Sequence, residues 1–157
     1  MNYKYVESPI ALILKPSLGN IVDRVSKKVR SKIMASVGTK NTCAEMVVRR
    51  LVHKMGYRYS LHRADLPGSP DLVFPSRKKV IFVHGCFWHG HNCRYGKLPK
   101  SRQNYWKQKI GKNRLRDNKQ CRELSRQGWG VLIVWQCQLR SPEVLIEKID
   151  NFLENNE

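Results

Sequence analysis

The segment from His84 to Cys93 restricts most strongly what this chain can fold into. Its sequence, HGCFWHGHNC, places three histidines and two cysteines around a Phe-Trp pair. Structural zinc sites are built from four Cys or His ligands, and at least one pair of ligands usually lies close together in the sequence. We therefore expect this segment to form a loop that is held by a bound metal ion.

Three residues of this loop have the type and spacing of metal ligands: Cys86, His91 and Cys93. A fourth ligand has to come from a segment that the fold brings alongside the loop. Cys137 is the first candidate, because it follows a predicted strand that ends at Trp135, and Cys121 is the alternative. Spacing alone also leaves His84 and His89 open as ligands. The residues thus favour a zinc site with more than one possible ligand set.

The number and placement of the cysteines indicate the compartment. The chain has five cysteines, an odd number, and two of them lie in the His-rich segment. Metal ligation fits this pattern better than the disulfide framework of a secreted protein, and it indicates a reducing cytoplasm. Cys43 and Cys121 fall in predicted helices and are expected to be ordinary buried thiols. The N-terminal apolar run from Ile10 to Leu14 is much shorter than the roughly 20 residues that span a membrane, so we expect no membrane segment.

The composition is strongly basic. Thirty Lys and Arg residues against twelve Asp and Glu residues give a formal net charge of +18. Residues 94 to 126 contain twelve basic side chains and only two acidic ones, Asp117 and Glu123. Such a concentration of positive charge favours a polyanionic partner, and phosphate groups in particular.

Hydrophobic periodicity predicts helices and strands after an irregular N-terminal arm, residues 1–22. The predicted helices span residues 26–37, 43–55 with Thr42 as N-cap, 101–127 with a break near Gly111, and a last segment that opens at Ser141. The predicted strands span residues 57–62, 71–74, 80–83 and 131–135. This order indicates one α/β domain, residues 23–157, with a central mixed β-sheet flanked by helices.

Carboxylates are scarce in the middle of the chain. Between Arg24 and Arg116 there are only three of them: Glu45, Asp65 and Asp71. Mg²⁺ prefers carboxylate oxygens, so a nuclease has to draw its metal ligands from these three. Asp71 heads one predicted strand and His84 follows the next, so the two side chains can converge at one rim of a hairpin. His84 and His89 are then the available general acid and base, because a neutral imidazole accepts a proton near pH 7.

Several motifs together resemble the very short patch repair (Vsr) endonucleases, a family of DNA mismatch endonucleases. The matching segments are RSKIM (30–34), NTCAE (41–45), LPGSPD (66–71), FVHGCFWHGHNC (82–93), YWKQKIGKN (105–113) and LIVWQC (132–137). The most specific part is the Cys/His cluster followed by a distal Trp-x-Cys. The resemblance covers the chain from about residue 26 to the last predicted helix.

The resemblance implies a fold similar to that of type II restriction endonucleases, a structural Zn²⁺ and a catalytic Mg²⁺. It implies that one strand of double-stranded DNA is nicked next to the thymine of a T:G mismatch, which arises when methylcytosine deaminates. This cut would initiate very short patch repair. A member of the family is expected to act as a monomer, associated with the nucleoid in the bacterial cytoplasm, and to contact mismatch repair proteins.

The family pattern also implies roles for residues of this sequence. The expected zinc ligands are Cys86, His91, Cys93 and Cys137. The expected Mg²⁺ ligands are Asp71 and the backbone carbonyl of Val83, while His89 is the expected base, supported by His84 and Glu45. The residues expected to contact DNA are the aromatic wedges Phe87, Trp88 and Trp106, together with Asn113 near metal-bound water.

Two other interpretations are compatible with the residues themselves. One is a zinc-stabilised DNA-binding protein, in which Asp71 and the histidines are structural. The other is a nuclease of the same fold that cuts DNA without a mismatch. A nicking assay on matched and mismatched duplexes, with Mg²⁺ or EDTA, separates the three possibilities.

Overall fold

The computed structural model describes residues 41–61 and 63–155, which belong to one compact unit. The helices are α1 (Cys43–Lys54), α2 (Gln103–Arg126) and α3 (Pro142–Glu154), and the strands are β1 (Leu72–Phe74), β2 (Lys79–His84) and β3 (Gly130–Trp135). Short 3₁₀ turns span Pro75–Arg77 and Gln136–Arg140. The predicted arm, residues 1–22, and the predicted helix 26–37 lie outside the described residues.

The three strands form one mixed sheet in the order β1-β2-β3. β1 pairs antiparallel with β2 across the Pro75–Arg77 turn, and β3 pairs parallel with β2. In this register His84 lies opposite Trp135, so β2 and β3 end at the same edge of the sheet. The loop after β2 and the turn after β3 therefore leave the sheet side by side. This is why Cys86 and Cys137, which are distant in sequence, come together.

Apolar side chains cover both faces of the sheet. On one face the strands pack against α1 and α3, where Val48 and Ile149 are fully buried. On the other face they pack against Leu124 of α2. Neighbouring residues of β2 alternate between the two faces, since Val80 belongs to the second cluster and Ile81 to the first. The prediction of a mixed sheet flanked by helices is confirmed.

The prediction of a strand over residues 57–62 is wrong. Among the described residues of that segment, only Ser60 pairs with the sheet, through two hydrogen bonds of 2.8 and 3.0 Å with Val73. The rings of Tyr57 and Tyr59 pack edge-on against Phe74. Their hydroxyls donate hydrogen bonds to α3 and α1 respectively. These contacts direct the segment toward the helices, so no continuous ladder forms.

The predicted break in the long helix is also wrong, because α2 runs without interruption through Gly111. A Cβ atom built at Gly111 would meet nothing within 4 Å, so no neighbouring element packs tightly there. One glycine costs about 1 kcal/mol relative to alanine in a helix interior, which a helix of 24 residues tolerates. The helix ends before Gly128, as predicted, and this glycine has a φ of +77°.

Two smaller expectations concern cysteines and membranes. Cys43 was expected to be buried, but it is exposed at the first residue of α1, and Cys121 is only half-buried. In the described part of the chain, no helix combines the length and the apolar character that crossing a membrane requires.

Candidate functional site

Four Cys and His side chains converge at the edge of the sheet where β2 and β3 end. The ligand atoms of these residues all lie within 4.8 Å of one another: Cys86, His91, Cys93 and Cys137. Within the loop, the backbone N–H of His91 donates to the carbonyl of Cys86 at 2.9 Å, which closes a tight turn. The Sγ of Cys137 lies 3.5 Å from Nδ1 of His91. Three thiols and one imidazole are a donor set that zinc prefers.

The surroundings of the thiols link metal binding to proton release. Burial raises the pKa of the Cys86 thiol to about 12 and also raises the pKa of Cys137. A metal ion binds the thiolate form, so a cation has to displace these protons when it binds. Cys121, the alternative ligand in the sequence analysis, lies on α2 and does not belong to the cluster.

A second cluster of polar side chains lies beside the first. His84, at the end of β2, stacks on His89 with ring centroids 3.8 Å apart and planes at 12°. Nδ1 of His89 lies 2.5 Å from Oδ2 of Asp117, a residue of α2. A neutral His89 that donates Nδ1–H to this carboxylate keeps the lone pair of Nε2 available to accept a proton. The contact with Asp117 thus fixes both the orientation and the tautomer of the imidazole.

The two stacked imidazoles differ in their surroundings. His84 is buried, and burial lowers its pKa to about 4, with the positive charge of a protonated His89 acting in the same direction. His84 therefore stays neutral near pH 7 and is a poor proton acceptor. His89 is less buried and contacts a carboxylate directly. Of the two, His89 has the environment of a proton acceptor.

Asp71 precedes β1 and reaches across to β2. Its Oδ2 accepts a hydrogen bond of 2.7 Å from the backbone N–H of Val83, which fixes the direction of the carboxylate. Burial is the main reason that the pKa of Asp71 is raised to about 6: the N–H of Val83 and the positive charge of Arg49 oppose this shift, and the negative charge of Glu45 adds to it. A buried carboxylate whose charged form is disfavoured in this way is stabilised when a cation binds to it. Among the described residues, Asp71 is not part of the group formed by His84 and its neighbours.

Glu45 is held by the start of α1. Its carboxylate accepts hydrogen bonds of 2.9 Å from the hydroxyl of Thr42 and from the backbone N–H of Asn41, and the Thr42 hydroxyl oxygen accepts a hydrogen bond from the N–H of Glu45 at 3.3 Å. Arg49, one turn later, donates to the same carboxylate at 3.2 Å. Glu45 and Arg49 are both buried, with exposed fractions of 4% and 5%. The capping residues and the arginine hold the carboxylate of Glu45 in a fixed orientation.

Aromatic rings form a surface cluster next to the histidines. Phe87 contacts Trp88 and Trp106 with centroid distances of 5.2 and 5.0 Å, and the two tryptophans are 6.1 Å apart. All three side chains are half-buried, so part of each ring faces solvent. Tyr105 extends the cluster outward and is 50% exposed. A partly exposed cluster of flat rings is able to stack on nucleic-acid bases.

One face of α2 packs against the loop that follows β2. Four residues at helical spacing on this face approach the loop: Trp106, Ile110, Asn113 and Asp117. Trp106 touches Phe87, and Nδ2 of Asn113 donates to the carbonyl of Trp88 at 2.8 Å. A Cβ atom at Gly90 would lie 2.7 Å from the side chain of Ile110, so the loop approaches the helix closely here. The same face holds His89 through Asp117.

The chain is similar in sequence to enzymes that nick DNA. A profile of the family described as DNA mismatch endonuclease Vsr matches residues 22–95. The type II nicking enzyme V.XorIIP of Xanthomonas oryzae is 52% identical over 134 residues, an alignment that covers 85% of this chain and 98% of that protein. The DNA mismatch endonuclease Vsr of Escherichia coli is 41% identical over 128 residues, 82% of each chain. The chain belongs to the Vsr family.

As a Vsr-family protein, the chain is a DNA endonuclease of the nicking type. The structure brings together three of the predicted sets: the four candidate zinc ligands, His84 with His89, and the aromatic residues around Trp106. It does not place Asp71 in the group of His84 and His89. It adds Asp117 and Arg49, which sequence reasoning did not single out as functional. Asp117 was visible only as one of two acids in a basic stretch. An isolated acid in a strongly basic helix was the signal that could have found it.

Proposed function

We propose that this Vsr-family enzyme nicks one strand of duplex DNA next to the thymine of a T:G mismatch and so initiates very short patch repair. The observation that supports this most directly is the shared face of α2. Trp106 and Asn113 hold the aromatic residues, while Asp117 holds His89 in the next position of the same loop. The same helix face therefore holds both the aromatic rings, which would insert beside the mismatch, and the imidazole, which would act on the DNA backbone. The two groups would move as one unit.

The oxygen donors near Asp71 suit Mg²⁺ as the catalytic metal. We assign Asp71 and the backbone carbonyl of Val83 as its ligands, with Glu45 supporting Asp71 from the adjacent helix. Burial raises the pKa of Asp71 by disfavouring the charged carboxylate, and a cation bound to its oxygens would offset that cost. Bound at these oxygens, Mg²⁺ supplies charge stabilisation to the phosphate during hydrolysis.

His89 is assigned as the general base. The imidazole accepts a proton at Nε2 from the water that attacks phosphorus, the P–O bond on the opposite side breaks, and the leaving oxygen departs with the electron pair and takes a proton from solvent. Asp117 stabilises the resulting imidazolium through Nδ1–H, at a distance of 2.5 Å. His84 supports the ring of His89 by stacking and stays neutral, because burial lowers its pKa to about 4.

The zinc ligands are assigned as Cys86, His91, Cys93 and Cys137, on the grounds that their donor atoms converge within 4.8 Å. Zn²⁺ at this site would be structural, because all four positions of a tetrahedral site are filled by protein.

A restriction-endonuclease-like fold of residues 23–157 is part of the same proposal. So are a monomeric enzyme in the bacterial cytoplasm, at the nucleoid, and contact with mismatch repair proteins.

The basic surface of α2 complements this activity. Its Lys and Arg side chains are exposed on the faces that do not contact the loop, for example Lys109, Lys112 and Arg122. Phosphate neutralisation by such residues supplies affinity that does not depend on sequence, whereas insertion of aromatic rings selects a weakened base step. Unstacking costs a few kcal/mol and is least costly at a mismatch.

A nicking assay tests the proposal. Supercoiled or labelled duplexes that differ only in one T:G or T:A pair are incubated with the enzyme, with Mg²⁺ or with EDTA. We expect one nick, in the thymine-containing strand of the mismatched duplex, with Mg²⁺ only. Cleavage of the matched duplex at the same rate would contradict mismatch specificity, and cleavage in EDTA would contradict the role of Mg²⁺.

The aromatic cluster should contribute more to mismatch recognition than to general affinity. In the double variant Trp88→Ala/Trp106→Ala, we expect affinity for the T:G duplex to fall by about 1–3 kcal/mol for each base contact that is lost, with a smaller change on matched DNA. Fluorescence anisotropy on both duplexes without Mg²⁺ gives the two dissociation constants. Trp129→Leu is the control, because Trp129 packs against the core and not in this cluster. Equal losses on both duplexes would contradict the assignment.

A further inference from the structure

Trp135 contacts both clusters, the four candidate zinc ligands through His91 and the His84–His89–Asp117 group through His84. Its indole ring stacks on the imidazole of His91, with centroids 4.3 Å apart and planes at 13°. It also meets His84 in an edge-to-face arrangement, with centroids 5.4 Å apart and planes at 74°. His84 in turn stacks on His89 at 3.8 Å. A continuous row of ring contacts thus runs from a zinc-ligand candidate to the catalytic imidazole.

The sheet explains why the tryptophan occupies this position. Trp135 is the last residue of β3 and lies directly opposite His84, the last residue of β2. Neighbouring residues in register point to the same face of a parallel pair, so the two rings have to meet. Cys137 follows two residues later, and His91 of the same metal cluster stacks on the indole.

The contacts of Trp135 differ from those of an ordinary core residue. Among the described residues, the apolar side chains packed on the two core clusters include Trp129 at the start of the same strand region but not Trp135. The closest rings to Trp135 are imidazoles. The indole ring of Trp135 therefore affects the positions of the histidines more directly than the packing of the sheet.

We propose that Trp135 is a positioning residue that orients the His84–His89 pair and transmits to it the order of the metal-bound loop. This rests on the proposed function, since it takes His89 as the base. Displacement of a catalytic group by about 1 Å can cost 10²-fold in rate, so a change in the support of His84 should affect cleavage. The metal-bound loop would then have a second role besides stability, because it would set the orientation of the His89 imidazole.

Single-turnover nicking of a T:G duplex by zinc-loaded enzyme tests the proposal. We expect Trp135→Leu to lower the rate constant by about 10–100-fold, the range found when groups that support a site are removed. Zinc content and the dissociation constant of the duplex without Mg²⁺ should stay within twofold of wild type. Trp135→Phe, which keeps a smaller flat ring, should recover most of the rate.

Two comparisons separate positioning from general packing. Trp129→Leu is the matched control: it should lower thermal stability and leave the rate constant unchanged. In a His84→Ala background, Trp135→Leu should cause little further loss, because the indole acts through His84. The same comparison with Trp135→Met, which removes the flat ring but fills more of its volume, decides the question if the leucine variant does not fold.

The possible results are distinguishable. A wild-type rate in Trp135→Leu, an equal loss in Trp129→Leu, or a fully additive loss on His84→Ala would each overturn the positioning role. If His89→Ala itself cleaves at the wild-type rate, the proposed base is wrong and the positioning role fails with it. If His89→Ala is inactive while Trp135→Leu is fully active, only the inference about Trp135 is lost.

Discussion

Replacement of His89 by alanine is expected to lower the single-turnover rate of nicking by about 10²–10⁴-fold, the usual effect of losing a general base. The physical reason is the pairing of Nδ1 with Asp117 at 2.5 Å, which orients the ring and leaves Nε2 as the nitrogen that can accept a proton. The side chain is not among the clustered metal-ligand candidates around Cys86. Zinc content, thermal stability and binding to the mismatched duplex should therefore remain at wild-type values.

Two further variants sharpen the measurement. Asp117→Asn retains the shape of the side chain but not its charge, so it should reduce the rate and affect binding little. His53→Ala is the matched control, because His53 is an exposed histidine in the last turn of α1. It should leave the rate unchanged. Loss of zinc from His89→Ala would instead identify His89 as a zinc ligand. A normal rate of nicking in that variant would exclude His89 as the base and leave His84 as the candidate.

Much of the fold follows from local patterns in the sequence. α1 is recognisable because Thr42 caps it and because apolar residues recur at helical spacing, with Val48 and Val52 fully buried. β2 and β3 are continuous apolar runs, as expected for strands that are covered on both faces. Gly111 and the segment 57–62 were misjudged because their outcome depends on tertiary contacts. Gly111 is tolerated in α2 because no neighbouring element packs on it. The conformation of segment 57–62 depends on the hydrogen bonds that the hydroxyls of Tyr57 and Tyr59 make to the helices.

The candidate site shows the same division. Cys86, His91 and Cys93 could be selected from residue type and spacing within one loop. Asp117 could not, because its partner is 28 residues away and its neighbours in α2 are basic. The role of Trp135 as a contact between clusters depends on the register of β2 with β3. Register is set by pairing across the sheet, and no single segment of the sequence contains that information.

Cys137→Ser is expected to release the zinc and to lower the stability of the protein. An ion present at about 1,000 times its dissociation constant stabilises the native state by about 4 kcal/mol. For a chain of this size, that loss corresponds to a fall of roughly 8–16 °C in Tm. His91→Ala should behave in the same way, because both residues belong to the four-member cluster. Metal analysis and thermal unfolding of purified protein measure the two effects.

The contrast with His89→Ala makes this prediction decisive. In Cys137→Ser and His91→Ala, nicking should fall together with zinc content and Tm, because metal binding is linked to folding. Cys121→Ser is the matched control: its thiol is half-buried on α2 and lies outside the cluster, so zinc and Tm should be preserved. Full zinc retention in Cys137→Ser would remove that residue from the site. Full zinc retention in His91→Ala would indicate that His89, and not His91, is the zinc ligand. His89 would then no longer be available as the base, and the catalytic assignment would have to be rebuilt around His84.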